Sequence, residues 1–256
     1  MLRPLFAVLL SWGGSLAAVA APSPDFAREE RIRAEISDVI LDGEVIDLAA
    51  DNGRSFLSLY TEQTTANQAK GTVVILHSRG LHPDWATVIH PLRVGLPDAG
   101  WHSLSIQLPV LDKTATYYDY VPVFPAAVPR IEAAIAEARV REPGAPVILL
   151  AHSCGYHMAQ HWISARGPDA VASIDAFIGI GMGAIDYGQR MVEPFVLDRV
   201  TVPMLDLFGS RDYPAVRRLA PERLNTMRIA GHPHNTQLVV PGADHYFTGR
   251  SEVLVH

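Results

Sequence analysis

The chain has 256 residues, enough for one or two domains, and 48% of them are hydrophobic against 19% charged, which excludes an intrinsically disordered polymer. Its 21 basic and 27 acidic side chains leave a formal net charge of −6, so it has no long-range attraction for phosphate backbones or anionic lipids, and nucleic acid is not an expected partner. The single cysteine, Cys154, forbids an intrachain disulfide, no Cys/His spacing has the form of a structural zinc site, and no metal or cofactor is expected.

Residues 1–20 read as a secretory signal peptide. Arg3 supplies the positive start, an apolar stretch begins at Leu5, and Ala18-Val19-Ala20 puts small residues where a signal peptidase needs them, before Ala21. The alternative is an uncleaved anchor. Against it, Gly13 and Gly14 interrupt a run that is already short for a membrane span. The expectation is cleavage after Ala20, a periplasmic or secreted protein with no stable membrane anchor, and a single domain over residues 21–256.

The mature chain opens with two strand patterns, residues 44–49 and 55–61, joined by Asp51-Asn52-Gly53, a strong hairpin signal. The pattern then changes to short, almost wholly apolar runs: Thr72-Val73-Val74-Ile75-Leu76, Val147-Ile148-Leu149-Leu150, Ala176-Phe177-Ile178-Gly179-Ile180, Val202-Pro203-Met204-Leu205 and Leu238-Val239-Val240, with a weaker one at Leu104-Ser105-Ile106. Strands buried on both faces lose the inside/outside alternation, so these runs predict a parallel sheet. Helical patterns lie between them at residues 85–99, 129–140, 155–165 and 221–230, the last taken to start at Pro221 because proline is favoured only in a first turn. The fold class is α/β: a mostly parallel sheet with helices on both faces and a leading antiparallel hairpin.

Ala151-His152-Ser153-Cys154-Gly155 follows the most apolar run and opens a helix. A serine presented for attack needs a very tight strand-to-helix turn, which tolerates only small residues two before and two after it; Ala151 and Gly155 qualify. A serine hydroxyl also needs a base, and the base an orienting acid. In strand–elbow–helix enzymes these follow the serine as acid, then histidine, on loops past strand ends. Gly209-Ser210-Arg211-Asp212 and Pro241-Gly242-Ala243-Asp244-His245 are such loops, so Asp212 and His245 are the candidate partners of Ser153. Asp206 is the rival acid, but it lies inside a strand and needs a partner of its own there. Among rival histidines, His152 is expected to point away from the serine. His157 and His161 share a helix face read as solvated, and His232 and His234 precede the last strand at its wrong end. Cys154 is expected to pack rather than react.

Acyl transfer also needs donors for the oxyanion. These are expected to be the backbone N–H groups of Cys154 and, in His77-Ser78-Arg79-Gly80 after the first apolar run, of Arg79. The Arg79 side chain either binds an acidic substrate group or forms an ion pair. Residues 112–125 carry Tyr117, Tyr118, Tyr120 and Phe124, which either wall a substrate pocket or pack the loop onto the body.

Together His77 to Gly80, the elbow, Gly209 to Asp212 and Gly242 to His245 make the chain resemble the α/β-hydrolase superfamily, in particular a poorly characterised group of exported bacterial members. The resemblance spans about residues 40–250. Two departures stand out: Ala151 replaces the usual glycine, and the eleven residues after His245 leave little room for a closing helix. The resemblance implies a serine hydrolase acting on a small ester through Ser153, Asp212 and His245. Alternatives are an acyltransferase using the same triad or a non-catalytic binding member of the fold. Only about twenty residues separate the strands ending near Gly181 and beginning near Val202, and they must include a connecting helix. No large cap domain is therefore expected.

Overall fold

In the computed structural model, residues 22–50 and 53–255 are described. The proposed signal peptide, its cleavage point and the Asp51-Asn52 half of the hairpin turn lie outside them. The core is one eight-stranded sheet in the order β1-β2-β4-β3-β5-β6-β7-β8. Its strands are β1 (Glu44–Ala49), β2 (Ser55–Thr61), β3 (Thr72–Leu76), β4 (His102–Ile106), β5 (Val147–His152), β6 (Ala176–Ile180), β7 (Met204–Gly209) and β8 (Thr236–Val240). β1 pairs with β2, and β2 with β4, in antiparallel fashion, and every pairing from β4 through β8 is parallel.

The apolar runs are buried on both faces, as their lost alternation requires. Every residue of β3, β4 and β5 is buried, whereas the edge strand β8 is largely exposed. Val74, Leu76 and Leu149 face one layer, formed by α4 (Val128–Arg141) and α5 (Cys154–Arg166); Val73, Ile75, Ile148 and Leu150 face the other, which includes α2 (Ile89–Asp98). Each fully buried aliphatic side chain contributes roughly 1.5–3 kcal/mol. The sheet thus holds the ends of β3, β5, β6, β7 and β8 at one rim. Among the described residues no helix is long and apolar enough to cross a membrane.

Four local expectations are corrected. The second helix starts at Ile89 rather than residue 85, because Val88 holds φ at +59° and breaks the helical path. The helix expected to start at Pro221 is α7 (Pro214–Ala230), with Pro214 in its first turn and Pro221 inside it. There Arg223, wholly buried, donates to the Val216 carbonyl at 2.8 Å and braces the turn that proline weakens. The segment joining β6 to β7 contains no α-helix, only the 3-10 turn Leu197–Arg199. Finally, an unpredicted helix, α1 (Phe26–Ser37), precedes the sheet, capped by Asp25, whose carboxylate accepts from Arg28 N–H at 2.9 Å.

Candidate active site

β5 ends at the elbow. Ser153 has φ 56° and ψ −116°, a conformation that costs a non-glycine residue of order 1–3 kcal/mol and persists only where the surroundings enforce it. Here the Ser153 N–H donates to the Ile180 carbonyl at 2.8 Å, and the Ser153 carbonyl accepts from Tyr156 N–H at 3.0 Å. A Cβ on Gly155 would sit 2.6 Å from the His77 carbonyl oxygen, so glycine is what lets the helix start this close to the end of β3. Ala151 is fully buried, its methyl group part of the core.

Asp212 follows β7 and His245 follows β8. Asp212 Oδ1 lies 2.7 Å from His245 Nδ1, and His245 Nε2 lies 2.8 Å from Ser153 Oγ. A carboxylate only accepts, so Nδ1 carries the proton and Nε2 is left to accept from the serine hydroxyl. Asp212 Oδ1 also accepts from Tyr213 N–H at 2.6 Å. The two loops are laced together: Arg211 N–H donates to the Ala243 carbonyl at 2.9 Å, and Gly242 N–H to Ser210 Oγ at 2.8 Å. The structure thus brings together the three residues singled out from the sequence.

The imidazole of His245 is boxed in. Tyr213 stacks on it with ring centroids 4.1 Å apart, and Tyr246 meets it edge-on at 5.1 Å. His152 makes no hydrogen bond to Ser153: its Nε2 donates to the His245 carbonyl at 3.1 Å, and its ring lies 5.0 Å from that of His245. Complete burial pushes the His152 pKa down to about 3, so this support is neutral. Gly181, at the end of β6 with φ +61°, completes the box. A Cβ there would approach His245 Cε1 to 2.8 Å.

The rival residues have other occupations. Asp206 and Arg223, both fully buried, pair at 2.7 Å, and Gln237 donates to the same carboxylate oxygen at 2.7 Å. His157 is not on a solvated face: it is buried, donates to the Ala184 carbonyl at 3.0 Å and lies parallel to the Phe124 ring, and burial lowers its pKa to about 4. His161 pairs with Glu193 at 2.7 Å. His232 and His234 sit on the turn before β8, at the amino end of the strand rather than the carboxyl end that carries His245. The Cys154 thiol is buried and pushed up to about 12 by desolvation, so it is protonated at neutral pH. Among the described residues no group of three or more His, Cys, Asp or Glu side chains is arranged to hold a metal.

Cys154 N–H, one of the two donors expected for an oxyanion, donates to Ser78 Oγ at 3.4 Å. The loop is fixed from beneath by His77. Its Nε2 accepts from Leu108 N–H at 2.9 Å, which leaves Nδ1 to donate to the Ser78 carbonyl at 2.6 Å. The Arg79 guanidinium makes a two-pronged ion pair with Asp186, with Nη2 at 2.6 Å from Oδ1.

A cavity of about 680 Å³ opens over Ser153. Of the three tyrosines, only Tyr117 lines it. Tyr118 instead accepts from the Arg190 backbone N–H, its hydroxyl oxygen 2.9 Å from that nitrogen. Tyr120 is buried, its hydroxyl accepting from Gly80 N–H and Leu111 N–H at 2.9 Å each. The larger share of the lining comes from residues 184–190 after β6, with Tyr213, Arg218 and Tyr246. Those residues were missed from the sequence. Their one signal is position: they follow a strand's carboxyl end, where open α/β sheets bind ligands.

A family model described as a protein of unknown function (DUF3530) matches residues 15–127, a stretch that ends before Ser153, Asp212 and His245. No curated protein matches the chain. Among solved structures it is similar to an α/β serine hydrolase homologue from Coxiella burnetii (TM-score 0.61, 17% identity, covering 84% of this chain and 97% of that one). It is also similar to an α/β serine hydrolase without a lid from Xanthomonas campestris (TM-score 0.59, 15% identity, 84% and 91% covered). A third likeness is to a dienelactone hydrolase from Anabaena variabilis (TM-score 0.59, 15% identity, 82% and 94% covered). With its eight-stranded sheet, leading antiparallel pair and flanking helices, the chain has the α/β-hydrolase fold.

Proposed function

We propose that this protein is a serine hydrolase that cleaves a small ester through an acyl-enzyme. The observation that carries the reading is the unbroken hydrogen-bonded chain from Asp212 through His245 to Ser153, at 2.7 and 2.8 Å, ending on a strained elbow under an open cavity. Ser153 Oγ attacks the carbonyl carbon as its proton passes to His245 Nε2, and Asp212 holds the ring and stabilises the imidazolium. The Cys154 and Arg79 N–H groups serve the oxyanion, with the Ser78 hydroxyl beside them. Collapse of the tetrahedral intermediate sends the proton from Nε2 to the leaving alcohol. Water, deprotonated by the same nitrogen, then releases the acid and restores Ser153. The names of similar structures, an esterase and a dienelactone hydrolase among them, agree with this chemistry.

Fluorophosphonate labelling tests the reading. The purified protein is expected to take one adduct at Ser153 and to lose it in a folded Ser153→Ala variant; an adduct that survives the substitution, or maps to Cys154, overturns it. We further propose that the protein works outside the cytoplasm with Ala21 as its mature N-terminus. Intact-mass measurement on protein from the native host checks this, and a soluble cytoplasmic chain beginning at Met1 refutes it.

A further inference from the structure

The charged residues lining the cavity are Arg79, Asp186, Arg190 and Arg218. Arg79 and Asp186 neutralise one another, and Asp186 is further committed by the Tyr117 N–H at 2.7 Å. The Arg79 guanidinium is therefore not available to a substrate. Arg190, on the segment after β6, and Arg218, on α7, differ: among the described residues neither guanidinium has a carboxylate within ion-pair distance. The cavity over Ser153 thus carries a surplus of two positive charges on a chain whose formal net charge is −6. A cleft lined by one sign of charge concentrates ligands of the opposite sign. Guanidinium groups suit oxygen anions because their forked N–H donors match the two oxygens of a carboxylate.

Resting on Ser153 as the nucleophile, we propose that the substrate is an anionic ester, a small molecule bearing a carboxylate or comparable oxyanion that Arg190 and Arg218 hold while its ester carbonyl lies against Ser153. A cavity of about 680 Å³ suits a small-molecule ester rather than a polymer. The anion has two possible sources, the acyl part or the alcohol part, and the chemistry at the two arginines is the same.

Two matched pairs separate them: monophenyl adipate against phenyl hexanoate puts the charge on the acyl side, and 4-carboxyphenyl acetate against phenyl acetate puts it on the leaving group. In one pair the charged member is expected to be favoured in kcat/KM by about tenfold at low salt, the size of two partly exposed charge pairs, with the ratio shrinking as salt is added. Arg190→Gln or Arg218→Gln is expected to move that ratio toward one. Neutral esters turned over at least as well as their charged partners, or a ratio that both substitutions leave intact, overturns the anion site while the hydrolase reading stands. If no ester turns over and Ser153 takes no fluorophosphonate, the hydrolase reading fails. Calorimetric titration of the Ser153→Ala protein with all four esters then decides the anion site: tighter binding of a charged member, lost in Arg190→Gln, supports it, and equal binding overturns it.

Discussion

Gly181→Ala probes the box around His245 more sharply than removal of Ser153, Asp212 or His245. At φ +61° an alanine is in the left-handed region, which costs about 1 kcal/mol. Its Cβ would stand 2.8 Å from His245 Cε1 and 3.0 Å from Nδ1. Carbon contacts relax only near 3.5 Å, so the ring has to retreat by about 0.7 Å. Tyr213, Tyr246 and His152 surround the imidazole, and its carbonyl is tied to His152. The retreat therefore lengthens the bond to Ser153 Oγ, now 2.8 Å, toward the outer limit of hydrogen bonding. Misplacement on this scale costs about 10²-fold in rate. The assay is the rate of fluorophosphonate labelling beside a thermal melt. Labelling is expected to slow about a hundredfold, while Tm falls by a few degrees, the shift expected for about 1 kcal/mol in a domain of this size. Gly183→Ala is the control: it has φ +82°, but its Cβ would meet Phe195 and Leu219 rather than His245. It is expected to share the loss of stability and keep the labelling rate. A folded Gly181→Ala protein that labels at the wild-type rate refutes the reasoning.

Three further outcomes are expected. Asp212→Asn lowers turnover by orders of magnitude in a folded protein, since residues of a triad act as a unit, whereas Asp206→Asn weakens the buried pair with Arg223 and lowers stability first; denaturation curves beside initial rates separate the two, and the reverse pattern identifies Asp206 as the acid. His77, His152 and His157 are wholly buried, with pKa values lowered to about 3, 3 and 4, so between pH 6.5 and 4 the unfolded chain binds protons that the folded chain refuses. Stability is full above pH 6.5 and falls as the pH drops, by about 1 kcal/mol per histidine between pH 6.5 and 5.5; a flat urea midpoint across that window contradicts this. Only a loop crosses from β6 to β7 above the cavity, so p-nitrophenyl acetate and butyrate are expected to outpace the palmitate ester, and rates that climb with chain length overturn the view of an uncovered site.

Much of the sheet was legible because its central strands are nearly pure apolar runs, a pattern that survives without knowledge of their neighbours. α1 was not, because only Ile32 and Ile36 mark its buried face. The start of α7 was misplaced because Pro221 carries a cost rather than a prohibition, and Arg223, which braces that turn, is recognisable only once it is folded against β7. That Ser153, Asp212 and His245 stand on converging loops was readable from chain order and loop position. The role of His152 beneath His245 was not, nor was the lining by residues 184–190. Both depend on which loops converge at the rim of the sheet, and no local pattern encodes that convergence.

The place of His245 has a consequence for how the molecule loses competence. Its loop hangs from β8, the last strand, which pairs on one side only and is half exposed at Leu238 and Val239. Ser153 is seated on β5, in the interior of the sheet. Local opening takes place first where few contacts hold the backbone. His245 is therefore mounted on the edge of the sheet and Ser153 in its interior. Fraying of that edge would part His245 from Ser153 while the interior strands stay paired, so the distance between the two reports on one border of the sheet rather than on the fold as a whole.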